Sequence, residues 1–144
     1  MELTRGTLVS QNVRLAEPLG EGGMGAVWIA DHLSLRTRVA VKFISAAAVR
    51  GDPALVERFN REASLAAQIK SPHVVQIFDH GVMDDGRPYM VMELLEGESL
   101  ADRLEREGCL DAKTTKLVVT QTAKALGRAH KLGVVHRDIK PDNI

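Results

Sequence analysis

Aromatic residues are nearly missing from this sequence: one Trp, one Tyr and three Phe, 3% of the chain. A core must therefore be packed mainly from Ala, Val and Leu. The 44% hydrophobic content is enough for one in 144 residues, the length of one ordinary domain. Cysteine occurs once, at Cys109. A single thiol excludes an internal disulfide and makes a reducing compartment, hence the cytoplasm, the simpler expectation. Neither sign of charge prevails, because nineteen Lys and Arg balance nineteen Asp and Glu. Without a net field, nucleic acid and anionic membranes are not expected partners, and binding has to be argued from sites. No apolar run nears the roughly 20 residues of a membrane span, and the opening MELTRGTLVSQNVRL holds too short an apolar stretch for a secretory signal. The histidines at 32, 73 and 80 are scattered, with no Cys or His at ligand spacing, so a zinc site is not expected. Internal repeats and low-complexity tracts are absent as well.

Glycine, by contrast, is concentrated. After a polar opening of about ten residues, Val13 to Leu19 reads as a strand running into Gly20, Glu21, Gly22, Gly23, Met24 and Gly25. The β-rich run from Ala26 to Ala30 follows, so the glycines join two strands as a hairpin. Dinucleotide-binding folds share the GxGxxG spacing but need a helix directly after it. Here a strand follows. A GxxxxGK[ST] phosphate loop is excluded too, since no Lys-Ser or Lys-Thr closes the run. Two readings remain: a ligand-free tight hairpin, or a flap whose bare backbone N–H groups approach phosphate oxygens. Val27, two residues past Gly25, completes GxGxxGxV and favours the flap.

The next strand, Arg38 to Ile44, is apolar on both faces except at Lys42, which alternation places with Ala40 and Ile44. Small Ala40 beside the amine leaves room for a flat ring, although a lysine snorkelling to water is the common alternative. Ala46 to Gly51 reads as a connector. Asp52 as N-cap and Pro53 at the first helical position then open a helix to about Lys70, with Leu55, Phe59, Ala66 and Ile69 as its apolar stripe. Glu62 lies in that stripe and needs a cation. Lys42 is the expected partner, ahead of Arg58 four residues earlier on the same helix.

Val74 to His80 and Tyr89 to Leu94 read as a hairpin with a Met-Asp-Asp-Gly tip. The first ninety-odd residues thus supply five strands and one long helix, which suit an antiparallel sheet with a helix packed on it. The regime changes at Leu95. Ser99 caps a helix to about Glu107, ended by Gly108. Asp111 caps a second to about Leu132, with Val118, Thr122, Ala125, Leu126 and Ala129 on one side and Gly133 as terminator. Exposed apolar surface on that helix makes self-association an expected hazard. The chain closes on VVHRDIKPDNI, where Asp138, able to accept a proton, stands five residues before Asn143, whose amide oxygen can hold a divalent cation, with Lys140 between them. That grouping suits phosphoryl transfer to a hydroxyl.

Glycine flap, strand Lys, helix Glu, hinge and H-R-D-x-x-x-x-N loop stand here in the order protein kinases use, a match to a family signature over nearly the whole chain. GEGGMGAV, RFNREASLAAQI and HRDIKPDNI resemble the N-terminal part of a bacterial serine/threonine protein kinase of the eukaryotic-like kind. The resemblance implies an α+β protein-kinase fold. Residues 1–94 would form an N-lobe with a five-stranded antiparallel sheet and one long helix, and 95–144 the hinge, first helices and catalytic loop of a helical C-lobe. It implies ATP and Mg2+ as cofactors and a protein bearing Ser or Thr as substrate. By the same resemblance Gly20, Gly22 and Gly25 cover the phosphates. Leu19, Val27 and Ala40 enclose the adenine, and Lys42, held by Glu62, engages the α- and β-phosphates. Met92 is the gatekeeper, and the backbone of Glu93 and Leu95 meets the adenine edge. Asp138 orients or deprotonates the substrate hydroxyl, Lys140 neutralises the γ-phosphoryl and Asn143 binds magnesium. His136 and Arg137 brace the loop. The 144 residues carry no Asp-Phe-Gly or Ala-Pro-Glu motif, so weak nucleotide binding and little or no transfer are expected of this chain alone. A nucleotide-binding or regulatory module that catalyses nothing is the alternative, and a small-molecule phosphotransferase is disfavoured by Lys140 and Pro141.

Overall fold

The computed structural model describes residues 2–22, 25–52 and 54–144. Gly23 and Met24 of the glycine run, and Pro53 at the expected helix start, lie outside the described residues. Six strands form one antiparallel sheet: β1 (Leu8–Ser10), β2 (Val13–Gly22), β3 (Gly25–His32), β4 (Thr37–Ile44), β5 (Ile77–Val82) and β6 (Pro88–Glu93), in the order β1-β2-β3-β4-β6-β5. The sheet has one strand more than the five expected. β1 is three residues long, too short to show alternation within a polar opening.

One face of the sheet carries the core. Val39, Val41 and Phe43 of β4 are buried together with Ala30 on β3, Tyr89 and Val91 on β6, and Val13 and Leu15 on β2. Val9, Met83 and the partly buried Leu3 close over them. Each Val, Leu or Phe among them contributes about 1.5–3 kcal/mol when removed from water. Two glycines are demanded by this packing. A Cβ on Gly25, whose φ is +151°, would lie 1.8 Å from the Phe43 carbonyl oxygen, and one on Gly81 would lie 2.8 Å from the Tyr89 hydroxyl. Burial first, and then the Asp79 charge, raises the Tyr89 phenol above its usual pKa, so the ring packs there as a neutral group.

The segment Ala46–Gly51, expected as a connector, is a short helix, α1, with Ser45 as N-cap accepting from the Ala48 N–H at 3.1 Å. Six residues are too few to display a helical period, and the Ser cap followed by alanines was the available signal. α2 spans Ala54–Ala66 and begins with the Asp52 carboxylate accepting from the Ala54 N–H at 3.0 Å. It stops four residues before the expected Lys70. Its buried line is Phe59 and Ala63, one turn apart, with Leu55 and Ala66 half-buried. The helix lies against β5 and β6, where Ser64 Oγ and His80 Nε2 are 3.0 Å apart.

Two compact units emerge from the contacts: Met1–Ala67 with Val75–Leu95, and Gln68–Val74 with Glu96–Ile144. The second contains α3 (Leu100–Glu107), α4 (Ala112–Lys131) and a 3₁₀ turn at Pro141–Asn143. Ser99 and Asp102 form a capping box on α3, each side chain accepting the other's backbone N–H. Asp111 caps α4 through Lys113 N at 2.8 Å and Thr114 N at 3.0 Å, and Gly133, at φ +73°, ends it. The α4 stripe of Val118, Thr122, Ala125 and Leu126 is half-buried and Ala129 fully so, as the spacing predicts. Among the described residues no helix is long and apolar enough to cross a membrane.

Candidate functional site

The strand-rich unit holds the residues expected to meet the base and the α- and β-phosphates of a nucleotide. Antiparallel register puts Val27 and Met90 on either side of Lys42, and Ile29 and Met92 on either side of Ala40. Directly paired residues share a face, so Val27, Ala40, Lys42 and Met92 form one surface, opposite the main core cluster, with Ala40 buried within it. Gly20 pairs with Val27 at its margin, and Leu19, at a register shift between Pro18 and Gly20, is exposed. Glu93 ends β6, its backbone N–H donating to the Gln76 carbonyl oxygen at 2.9 Å, and Leu95 is exposed two residues on.

The glycines of this margin differ in kind. Gly25 is required by the close approach of β4, whereas a Cβ on Gly20 or Gly22 would meet nothing within 4 Å, and neither has a positive φ. Their missing side chains answer no need of the fold. A bare backbone over the Val27–Lys42 surface is what a polyanionic ligand requires.

Lys42 and Glu62 do not form the expected pair. Lys42 is exposed, Glu62 is exposed, and among the described residues no ion pair joins them. The main core cluster lies on the other face of β4, and although Ala40 and Ile44 on the Lys42 face are themselves buried, the Lys42 side chain is exposed beside half-buried Val27 and Met90, so no burial forces a partner on it. On α2 the buried line runs through Ala63, which turns Glu62 outward. The alternative partner, Arg58, is paired instead with Asp52.

The second unit assembles the Asp138 group within a few residues of chain. Asn143 Nδ2 donates to the Asp138 carbonyl oxygen at 2.9 Å and to its Oδ2 at 3.0 Å, and Lys140 Nζ lies 3.7 Å from the same Oδ2. The 3₁₀ turn brings Asn143 back over the loop, with its N–H donating to the Lys140 carbonyl oxygen at 2.9 Å. His136 Nδ1 accepts from the Asp138 N–H at 3.3 Å. Arg137 sits in the left-handed region at φ +65°, a conformation that costs a non-glycine residue about 1 kcal/mol or more. Sequence reading gave Arg137 a bracing role but could not see this strain, since arginine is no marker of left-handed backbone. The arrangement holds one oxygen of Asp138 and leaves Oδ1 for another group. Among the described residues no three His, Cys, Asp or Glu side chains gather as a ready cation site.

Residues 13–144 match the family model for the protein kinase domain. The chain is 44% identical over 126 residues to the serine/threonine-protein kinase PknH of Mycobacterium bovis, covering 88% of this chain and 21% of that protein. It is 40% identical over 143 residues to PknA of Mycobacterium tuberculosis, covering 96% of this chain and 33% of that one. The chain therefore spans about a fifth to a third of these relatives. Among solved structures, the kinase domain of M. tuberculosis PknI superposes with a TM-score of 0.86 at 29% identity, over 99% of this chain and 56% of that one. Together with the six-stranded antiparallel sheet, the glycine hairpin and the clasped Asp138 loop, these similarities establish that the chain belongs to the serine/threonine protein kinase family.

Proposed function

We propose that this chain binds ATP with Mg2+ on the Val27–Lys42 face and supplies the groups for phosphoryl transfer to a Ser or Thr hydroxyl of a protein. The observation that carries the reading is the pair of glycines at 20 and 22, for which the fold has no need. ATP supplies the phosphoryl group, and magnesium neutralises charge on its oxygens. Residues 1–94 act as the nucleotide lobe and 95–144 as the start of the catalytic lobe. Leu19, Val27 and Ala40 give apolar contact to a base, with Met92 beside Ala40, and the backbone at Glu93 and Leu95 offers hydrogen-bonding groups to its edge. Gly20, Gly22 and Gly25 place N–H groups over phosphates, and Lys42 meets the α- and β-oxygens. Since Lys42 and Glu62 stand apart, Glu62 must turn toward the amine to hold it. Asp138, fixed through Oδ2 by Asn143, orients the hydroxyl with Oδ1 and accepts its proton as the oxygen attacks. Lys140 balances charge on the transferring group and Asn143 contributes its amide oxygen to the cation. Catalysis of this kind is positioning and charge neutralisation. A cytoplasmic setting fits the exposed free thiol of Cys109.

One observation favours the second reading, a nucleotide-binding module without transfer: the open Lys42–Glu62 pair. Thermal melting with Mg2+ and ATP, run beside Lys42→Met, tests the binding step, because a ligand of the native state raises its apparent stability by mass action. The expected result is an upward shift lost in the variant. A cooperative melt with no shift in the parent would end both readings. Phosphate transfer to Ser/Thr peptides that vanishes in Asp138→Asn, even at the low rate expected of this chain alone, supports the first reading, and binding with no detectable transfer supports the second.

A further inference from the structure

The balanced total charge conceals a one-sided helix. From Ala112 to Arg137 the sequence contains Lys113, Lys116, Lys124, Arg128, Lys131 and Arg137 and no Asp or Glu. Among the described residues, none of the five Lys and Arg side chains on α4 takes part in an ion pair, whereas Arg103 and Arg106 on α3 are both paired. Lys124, Arg128 and Lys131, at i, i+4 and i+7, share one face and repel one another there. With Ser71, Pro72, His73 and Gly127 they line a concavity of about 350 Å3 that lies wholly within the helical unit. Its far wall is held by the Ser71 hydroxyl, which accepts the His73 N–H at 3.2 Å.

Gly127 is the second observation. A glycine inside a helix destabilises it relative to alanine, yet nothing in the fold asks for one at this position: φ is not positive and a Cβ would meet no atom within 4 Å. What its absent side chain does is open the groove between Lys124, Arg128 and Lys131. Three neighbouring cations on one helix face, a glycine the fold does not require and a concave surface suit a compact dianion presented on a side chain. A flat lipid surface would not enter it.

We infer that this groove docks a phosphorylated Ser or Thr side chain of a peptide segment, with the Arg128 guanidinium forking onto the phosphate oxygens and Lys124 and Lys131 completing the charge. The inference goes beyond the phosphotransfer reading and does not depend on it. The test is fluorescence-anisotropy titration of the 144-residue chain with a labelled phosphoserine peptide and its unphosphorylated twin. The phosphopeptide is expected to bind at least tenfold more tightly, and the preference to disappear in the Lys124→Gln/Arg128→Gln double variant. Lys113→Gln/Lys116→Gln, which removes the same charge from the other end of α4, should retain it. Gly127→Ala should weaken the phosphopeptide severalfold while raising the melting temperature, a combination that loss of fold cannot produce. Equal binding of the two peptides overturns the inference. So does a preference lost in Arg137→Gln but kept in the double variant, which would place the phosphate at the Asp138 loop, and so does binding to phosphatidylserine vesicles with none to the peptide.

Discussion

The strand-rich unit and the helical unit keep their shapes by different means. All the buried apolar side chains except Ile69 and Ala129 belong to the first, where strands far apart in sequence share one core. In the second, Leu117 and Val119 of α4 are 55% and 61% exposed, and order comes from short-range devices: the Ser99 capping box, the Asp111 cap, the Gly133 terminator and the Asn143–Asp138 clasp. Non-local packing can fix the place of a face such as Val27–Lys42 while leaving the Lys42 side chain itself in water. Local hydrogen bonding can order a polar loop such as that at Asp138 with almost no burial.

The comparison breaks first at the sheet. Phe43→Ala is expected to destabilise the protein by about 3–5 kcal/mol in urea unfolding, while Leu117→Ser stays within about 0.5 kcal/mol; similar losses at both positions would mean that α4 is packed as tightly as β4. Gly25→Ala comes next, at about 2 kcal/mol or more, because its Cβ would collide with the Phe43 carbonyl. Gly20→Ala, by contrast, should leave the melting curve almost unchanged and impair only nucleotide binding. A Gly20→Ala variant that melts as early as Gly25→Ala would show that both glycines serve the hairpin.

Smaller effects probe the helical unit. Ser99→Ala removes half of the capping box and should lose about 1 kcal/mol, read as a lower midpoint in circular dichroism. Asp111 supplies a pH dependence. The Thr114 hydroxyl, then the Thr114 and Lys113 N–H groups, hold its carboxyl below the ordinary value near 3.8. A depressed carboxylate stabilises the folded state above its unfolded pKa, and that contribution drains away as pH falls through the folded value. Helicity of the parent should therefore decline below about pH 4 more than that of Asp111→Asn, which caps without titrating. Parallel acid profiles would remove Asp111 from the account.

Much of this was legible in the residues. Caps, terminators and the α4 stripe are local patterns with fixed offsets, so Ser99, Asp111, Gly133 and the run from Val118 to Ala129 fall where the spacing puts them. Asp138 and Asn143 were readable together because five residues of chain suffice to close their bond. Lys42 and Glu62 were misjudged for the complementary reason. Both faces of β4 are apolar and buried through Ala40 and Ile44 as well as Val39, Val41 and Phe43, and alternation does not say that Lys42, between two buried neighbours on its face, is exposed. Likewise α1 was hidden by its length and β1 by its three residues.

The sequence by itself determined the family, the helix caps and the closeness of Asp138 to Asn143, since each is written in residue types at short, fixed separations. Only the tertiary structure decided that Lys42 faces water, that Gly25 is needed by the sheet while Gly20 and Gly22 are not, and that the 68–74 segment meets α4 in a basic groove. Those outcomes depend on which distant surfaces come together, and burial, not pattern, sets what a charge or a missing side chain does there.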